Sequence, residues 1–308
     1  MDGSVEAAIQ EAVLALRAGR LVALPTETVY GLGADAEQPG AVRRVFEVKG
    51  RPRSHPLIVH LAEAAMLGDW SDRAPGYAWE LAERFWPGPL TLVVRKSSRV
   101  IPDVTGGQDS VGLRVPAHPV AARLLQEFGG GVAAPSANRF GRVSPTTAEH
   151  VRRDLGSDVD LVLDGGPCRV GVESTVVDCT GVVPRILRPG GVTREALIET
   201  LGMDVPVVQR SDVRAPGQLP THYAPRAQVM LVAVDELSER VDLLRQTGQR
   251  VVVLTEAELA PERLFAALRE ADESGADWIV AVPPAPSGVG LAVLDRLQKA
   301  AAPRPASG

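Results

Sequence analysis

Short apolar runs typical of β-strands alternate with segments of helical period along most of the chain, and no other feature of the sequence constrains the fold as much. Such alternation is characteristic of α/β domains, in which helices cover a sheet. The sequence therefore predicts a large, mixed sheet over its first two hundred residues. Strands are predicted at 21–24, 57–61, 90–95, 111–115, 132–134, 161–163, 174–178 and 185–187, and helices at 5–16, 40–48, 75–85, 118–128, 146–155 and 193–201.

The alternation stops at residues 203–226, which contain Pro206, Pro216, Pro220 and Pro225 and show neither period. A stretch of this length without regular structure is uncommon inside a compact protein and is often functional. Strand and helix patterns resume after it in the order β-α-β-α-β-α, which indicates a small parallel sheet. The predicted division is a first α/β domain at 1–202, a linker at 203–226, a small α/β domain at 227–302 and a frayed tail at 303–308.

Composition excludes several classes of protein. The net charge of −5 makes general nucleic-acid binding unfavourable, so a site for a polyanion must be a local cluster of cations. Cys168 and Cys179 have no zinc-site spacing, and the N-terminus does not resemble a signal peptide. No run approaches the ~18 apolar residues of a membrane span. A cytoplasmic protein is expected, with no membrane partner.

Polar clusters at the ends of the predicted strands carry the functional signal. Sheets of α/β proteins bind ligands at strand ends, so clusters that are distant in sequence are expected to meet there. Together they offer cations and hydroxyls with no cysteine nucleophile and no metal cage, which suits a polyphosphate. The six clusters are 25–32, 49–57, 111–116, 133–147, 172–178 and 185–191.

Each cluster also has a purely structural explanation. A threonine often caps a helix, Lys49 could compensate a helix dipole, and His60 lies in an apolar strand where a histidine is usually a core residue. Arg114, inside another apolar strand, must have a partner and could form a structural ion pair. Gly31 and Gly33 lack the rest of a GxGxxG motif, which favours a tight turn.

Taken together, the clusters resemble the YrdC-like family of threonylcarbamoyl-AMP synthases. The resemblance covers about residues 5–202, and residues 221–225 (THYAP) and 290–297 (GLAVLDRL) resemble the longer two-domain form. The matching motifs, in family order, are PTETVYGLG at 25–33, Lys49-x-Arg51, Ser136-x-Asn138, EST at 173–175 and RPG at 188–190.

The resemblance implies a twisted, open, mixed sheet with a concave, positive face, followed by a smaller Rossmann-like parallel domain. It also implies a nucleotidyltransferase reaction. L-threonine and bicarbonate or CO2 form a carbamate, which attacks the α-phosphorus of ATP to give threonylcarbamoyl-AMP and pyrophosphate. The product then passes to separate protein machinery that makes threonylcarbamoyladenosine in tRNA, with no stable nucleic-acid complex expected.

Site roles follow from the resemblance at matched positions. Lys49 and Arg51 are the expected catalytic cations, and Mg2+ would be held mainly by phosphates, with no protein metal site. His55 stands where the family usually has asparagine, and a histidine can still donate a hydrogen bond at that position. L-threonine would bind Thr28, His60, Arg114, Ala134 and Ser174, and ATP would bind Arg51, His55, Ser110, Ser136, Asn138, Ser144, Arg188 and Tyr223. Residues 210–224 are expected to fold over the cleft as a lid.

Two other functions remain open at this stage. The basic group formed by Arg43, Arg44, Lys49, Arg51 and Arg53 could instead grip double-stranded RNA, although aromatic residues for base stacking make up only 4% of the chain. YrdC-like domains also occur in carbamoyltransferases, which have further catalytic domains that this chain has no room for.

Overall fold

The computed structural model describes residues 3–208, 211–217 and 223–303. Its first part alternates helices and strands as predicted. The elements are, in chain order, α1 (Gly3–Arg17), β1 (Val22–Leu24), β2 (Gly31–Asp35), α2 (Pro39–Lys49), β3 (Ile58–His60), α3 (Leu67–Trp70), α4 (Gly76–Phe85), β4 (Leu90–Arg95), α5 (Pro102–Thr105), β5 (Ser110–Arg114), α6 (Pro119–Phe128), β6 (Val132–Ala133), α7 (Ala148–Leu155), β7 (Leu161–Val162), β8 (Thr175–Asp178), β9 (Arg185–Arg188) and α8 (Arg194–Leu201).

Within the described ranges, nine strands form one mixed sheet in the order β7-β1-β2-β6-β3-β5-β4-β8-β9. β3 and β5 are parallel, as are β4 and β8, whereas β4 and β5 are antiparallel. Buried apolar side chains, including Trp70, Leu92 and Leu113, pack between this sheet and the helices. The predicted large mixed sheet is confirmed.

Local sequence explains where the helices nearest the strand ends begin and end. Pro39 occupies the first turn of α2, where its missing N–H is not needed, and Gly50 ends the helix in the left-handed region at φ 63°. The side chain of Thr147 caps α7 by accepting a hydrogen bond from the His150 N–H, so the helix predicted at 146–155 begins within two residues of its predicted start.

The interpretation of Gly31 and Gly33 as turn residues is wrong, because both lie in strand β2. A Cβ atom at Gly33 would lie 2.8 Å from Leu24 Cδ2 and 2.9 Å from Val132 Cγ1. Glycine is needed there because side chains of the two neighbouring strands close over the position. The short α3 and α5 helices were also not predicted, since four residues give no measurable period.

The last part of the chain forms the predicted small α/β unit. Three parallel strands among the described residues are arranged in the order β10-β12-β11. The elements are β10 (Gln228–Leu231), α9 (Leu237–Gln246), β11 (Val251–Leu254), α10 (Pro261–Glu273), β12 (Trp278–Ala281) and α11 (Gly290–Ala301).

The large and small units share part of one core. Val29, Val143 and Val172 of the large unit belong to the apolar cluster that contains Phe265 and Leu268 of α10. Of the predicted tail, residues 304–308 lie outside the described residues, and the boundaries placed at 202, 226 and 302 stay predictions. The described helices include none that is long and apolar enough to cross a membrane.

Candidate active site

Polar clusters from separate strand ends surround one open hollow. Its walls come from the turn after β1, the ends of β3, β5 and β9, the loop after β6 and the start of β8, together with residues of the 203–226 stretch. The residues from the predicted site that line it are Thr28, Arg51, His60, Arg114, Ala134, Ser136, Ser174, Arg188 and Tyr223.

The turn after β1 is built on the hydroxyl of Thr26. This oxygen donates to the Val29 carbonyl at 2.6 Å, accepts from the backbone N–H groups of Thr28 and Val29, and lies 2.9 Å from the Thr28 hydroxyl. A threonine side chain that closes a turn in this way replaces helix or sheet hydrogen bonds. The turn therefore brings Thr28 to the hollow in a fixed position.

His60 and Arg114 end the neighbouring parallel strands β3 and β5 in direct register. Arg114 donates to the Glu27 carboxylate at 2.7 Å and to the Gly88 carbonyl at 3.2 Å, and both charged side chains are buried. The structural ion pair considered for Arg114 is thus present, although Arg114 also lines the hollow. Burial, with the nearby charge of Arg114, lowers the pKa of His60 to about 3, so this imidazole is neutral at pH 7.

Arg188, at the end of β9, is held by backbone oxygens. Its guanidinium donates to the Ser174 carbonyl at 2.9 and 3.2 Å and to the Pro216 carbonyl at 3.2 Å. The Ser174 hydroxyl accepts from Arg188 at 3.2 Å and lies 2.8 Å from the Thr91 hydroxyl. Burial lowers the pKa of Arg188, because no solvent stabilises its charge.

Arg51 enters the hollow from the loop after α2. Its Nη2 donates to the Pro56 carbonyl at 2.9 Å, while its buried Nε has no hydrogen-bond partner among the described residues. Burial lowers the pKa of Arg51 to about 10, so it stays charged at pH 7. In the described structure neither Arg51 nor Arg188 forms an ion pair with a carboxylate, which leaves two positive charges at the hollow for an anionic ligand.

Five predicted residues do not line the hollow. Lys49 lies behind the loop after β6, where its ammonium donates to the carbonyls of Ser136 and Asn138 at 2.5 and 2.6 Å. Ser144 donates to Glu173 at 2.7 Å. His55 packs its ring edge against Phe140, and Ser110 begins β5, at the far end from Arg114.

Asn138 is the fifth of these residues. Its amide group donates to the Arg139 and Arg142 carbonyls, and its buried Oδ1 has no partner among the described residues. Asn138 therefore shapes the loop from within, and the expected contacts of Asn138, Lys49, His55, Ser110 and Ser144 with ATP remain predictions.

Sequence reasoning missed the two carboxylates at the site and one of their partners. Glu27 neutralises Arg114, and Glu173 neutralises Arg296. Both pairs are buried, and in each the nitrogen and the carboxylate oxygen lie 2.7 Å apart. Arg296 could have been found, because it interrupts the buried stripe of α11 formed by Ala292, Val293, Leu297 and Ala300. An arginine on the buried face of a helix must have a partner.

Acidic side chains near the hollow are the groups of this site that could hold a metal ion. No group of three or more histidine, cysteine, aspartate or glutamate side chains that could hold an ion occurs in the described part of the chain. The two carboxylates near the hollow are already paired with arginines. That a Mg2+ ion would be held mainly by phosphate oxygens stays a prediction.

Known proteins resemble the chain over almost its whole length. The family model described as "Telomere recombination" matches residues 14–190, and the one described as "Threonylcarbamoyl-AMP synthase, C-terminal domain" matches residues 192–302. A threonylcarbamoyl-AMP synthase of Bacillus subtilis is 41% identical, covering 96% of this chain and 93% of the relative. A threonylcarbamoyl-AMP synthase of Pyrococcus abyssi is 43% identical, covering 92% of this chain and 91% of the relative.

A solved structure shows the same architecture. The crystal structure of Pyrococcus abyssi Sua5 complexed with L-threonine superposes with a TM-score of 0.90 at 42% identity and covers 95% of this chain and 94% of that one. Both family models and these full-length relatives agree, so the chain belongs to the threonylcarbamoyl-AMP synthase family, in its two-domain form.

Proposed function

We propose that the hollow is where this chain carries out the reaction of its family, the formation of threonylcarbamoyl-AMP and pyrophosphate from L-threonine, bicarbonate and ATP. The observation that carries the proposal is the pair of buried arginines, Arg51 and Arg188, which face one hollow without a carboxylate partner in the described structure. ATP supplies the negative charge that such a site needs.

The threonine subsite would lie at the ends of β3 and β5. Arg114, already oriented by Glu27 and Gly88, would bind the threonine carboxylate. Thr28, Ala134 and Ser174 would complete the subsite. With a pKa of about 3, His60 is a weak base, so it is better suited to a hydrogen bond with the substrate than to removing a proton.

The ATP subsite would lie toward Arg51, Ser136, Arg188 and Tyr223. The hydrogen bonds of Lys49 give it a role in shaping the loop that carries Ser136 and Asn138. The Ser144 hydroxyl is engaged by Glu173, so Ser144 would act on ATP only through that carboxylate. His55, Ser110 and Asn138 would also contact ATP directly.

The reaction would need positioning and charge neutralisation more than covalent chemistry by the protein. The neutral threonine amine forms a bond to the carbon of bicarbonate with loss of water, or to the carbon of CO2 with loss of a proton, and becomes a carbamate. A carbamate oxygen bonds to the α-phosphorus, the bond from that phosphorus to the oxygen shared with the β-phosphate breaks, and pyrophosphate leaves with the electron pair. Arg51 and Arg188 would reduce the repulsion between the two anions, and a phosphate-bound Mg2+ would supply further positive charge when present.

The 203–226 stretch would act as the lid of the site. Pro216, Gly217 and Tyr223 line the hollow, and Arg214 binds the carbonyls of Ser54 and Gly106 at 2.8 and 2.9 Å. Residues 210 and 218–222 of the expected lid lie outside the described residues. A lid would exclude water, which hydrolyses carbamates and mixed anhydrides. We also propose that the product serves a tRNA-modifying protein machinery in the cytoplasm.

RNA binding by the same face is the weaker alternative. Three arginines of the basic group considered for this role already form ion pairs. Arg43 pairs with Asp103, Arg44 with Asp160 and Arg53 with Glu47. Such pairing reduces the positive field that phosphate binding requires.

The function is tested by measuring pyrophosphate release with ATP, threonine and bicarbonate, omitting each in turn, while mass spectrometry follows threonylcarbamoyl-AMP. Release is expected only with all three substrates. Pyrophosphate release that needs neither threonine nor bicarbonate would contradict the proposal.

The threonine subsite is tested by Arg114→Lys, which keeps a charge beside Glu27 and removes the two-pronged guanidinium. Loss of one charge-assisted hydrogen bond, worth about 1.5–3 kcal/mol, should raise the KM for threonine about 10- to 100-fold and leave the KM for ATP nearly unchanged. Arg123→Lys, at an exposed pair with Glu6, is the matched control. Equal effects on both substrates would contradict the assignment of Arg114.

A further inference from the structure

Arg296 connects the small unit to the wall of the hollow. It lies on α11 and its side chain is completely buried, yet two of its hydrogen bonds cross to the large unit. Its Nε donates to Glu173 at 2.7 Å and its Nη2 to the Pro189 carbonyl at 3.0 Å. Asp295, its neighbour on the helix, accepts from Nη1.

The same guanidinium contacts a residue that lines the hollow. It lies over the ring of Tyr223, 5.1 Å from the ring centroid, while Phe265 of α10 stacks against Tyr223 at 5.5 Å. Tyr223 adopts the left-handed conformation at φ 61°, which is unfavourable for a non-glycine residue and needs support from its surroundings. Two residues of the small unit supply part of that support.

The contacts of Arg296 also reach the hollow by a second route. Its partner Glu173 accepts the Ser144 hydroxyl at 2.7 Å and directly precedes Ser174. The Ser174 carbonyl in turn holds Arg188 at 2.9 Å. Arg296 is therefore one contact away from Tyr223 and two from Arg188, both of which line the hollow.

We propose that Arg296 is a positioning residue for ATP, supplied by the small unit, which fixes Tyr223 and the Glu173–Ser174 segment in the geometry that nucleotide binding requires. The small unit is then a structural part of the ATP subsite. This inference rests on the proposed function, because it assigns ATP to that side of the hollow.

The principal test is the double variant Glu173→Gln/Arg296→Gln. It removes both charges of the buried pair, so neither residue is left as a buried charge that has lost its partner. We expect its KM for ATP to rise about tenfold or more, equivalent to a loss of about 1.4 kcal/mol. The dissociation constant for threonine, measured without ATP by calorimetry, should rise less than the KM for ATP, because Ser174 is the one member of the proposed threonine subsite on this segment. Arg296→Lys keeps the positive charge but removes the forked guanidinium. It should also weaken ATP binding more than threonine binding, to a smaller degree, and it replaces the double variant as the test if that variant does not fold.

The matched control is Asp154→Asn/Arg269→Gln. Arg269, on α10, forms a buried pair with Asp154 and binds the Val143 and Ser144 carbonyls across the same junction, but does not line the hollow. This control should lower the melting temperature without a selective rise in the KM for ATP. Equal rises in both double variants, or a normal KM in Glu173→Gln/Arg296→Gln, would overturn the role of Arg296.

A second readout separates positioning from general stability. If Arg296 acts partly through Tyr223, then Arg296→Lys should raise the KM for ATP less in a Tyr223→Ala background than in the wild type. Full additivity would remove the route through Tyr223. Wild-type protein that releases no pyrophosphate with all three substrates would contradict the proposed function, whereas an active wild type with unaffected variants would contradict only this inference.

Discussion

Buried arginines in this protein differ in whether a carboxylate accompanies them. Arg114 and Arg296 each have a glutamate at 2.7 Å, whereas Arg51 and Arg188 bind backbone carbonyls. A carbonyl orients a guanidinium without cancelling its charge. Arg51 and Arg188 therefore keep their attraction for an anion. This difference separates Arg114 and Arg296, whose charge a glutamate already balances, from Arg51 and Arg188, which are better suited to hold the more highly charged phosphates.

His60 should make the stability of the protein sensitive to mild acid. Its pKa falls from 6.5 to about 3 on folding, so between these values the unfolded chain binds a proton that the folded protein does not. Its contribution is complete above pH 6.5 and is lost as the pH falls toward 3, at up to about 1.4 kcal/mol per pH unit. His60→Gln should flatten the pH dependence of the free energy of unfolding by that amount in urea titrations.

The half-buried His55 offers the control for this measurement. Burial also lowers the pKa of His55, but less of the ring is removed from water, so His55→Gln should change the slope less than His60→Gln does. Identical slopes for the wild type and His60→Gln would show that the imidazole of His60 is not buried in its neutral form.

Loops at strand ends, more than the strands themselves, shape the hollow. The turn after β1 is held by the Thr26 hydroxyl, the loop after β6 by Lys49, and the 211–217 segment by Arg214 and Arg188. Each of these contacts joins a side chain to a backbone carbonyl. Loops tied down in this way can present ligand-binding groups with little loss of entropy on binding.

Gly217 is a position at which the lid segment lies close to the site. Its φ is 85°, and a Cβ atom there would lie 2.8 Å from Arg188 Cδ and 2.9 Å from the Tyr223 hydroxyl. Gly217→Ala should displace one of these groups and raise the KM for ATP about 10- to 100-fold, since small displacements at a site are costly. Gly248→Ala, at φ 79° with nothing within 4 Å, is the control for backbone strain alone. Equal KM values for the two variants would argue against contact of this segment with ATP.

At the scale of the whole molecule, the two units meet through backbone as well as side chains. Gly171 of the large unit has φ 71°, and a Cβ atom there would lie 2.4 Å from Glu262 Cα and from the Pro261 carbonyl oxygen at the start of α10. A flexible side chain could move aside from an added Cβ atom. The backbone of Pro261 and Glu262 could avoid it only if α10 moved away from Gly171. The junction therefore depends on the absence of a side chain at Gly171.

Gly171→Ala should push the units apart and weaken the contacts of Arg296 with the site. We expect a loss of at least about 1–3 kcal/mol in the free energy of unfolding from the backbone conformation alone, with a further loss from the clash. Gly166→Ala, at φ 79° with no atom within 4 Å, should show the first effect without the second. Thermal unfolding and the KM for ATP measure the difference, and equal losses in both variants would contradict a close junction.

The sequence by itself determined the alternation of strands and helices, the family and nine of the residues that line the hollow, because periodicity and short motifs are local properties. Gly33 shows where this reasoning ended, since its neighbours belong to β1 and β6 and appear only when the sheet forms. Lys49 shows it again, because the carbonyls that accept its hydrogen bonds lie almost ninety positions further along the chain. Only the tertiary structure decided which charges are neutralised, as with Glu173 and Arg296, because pairing depends on distance in space and on exclusion of water.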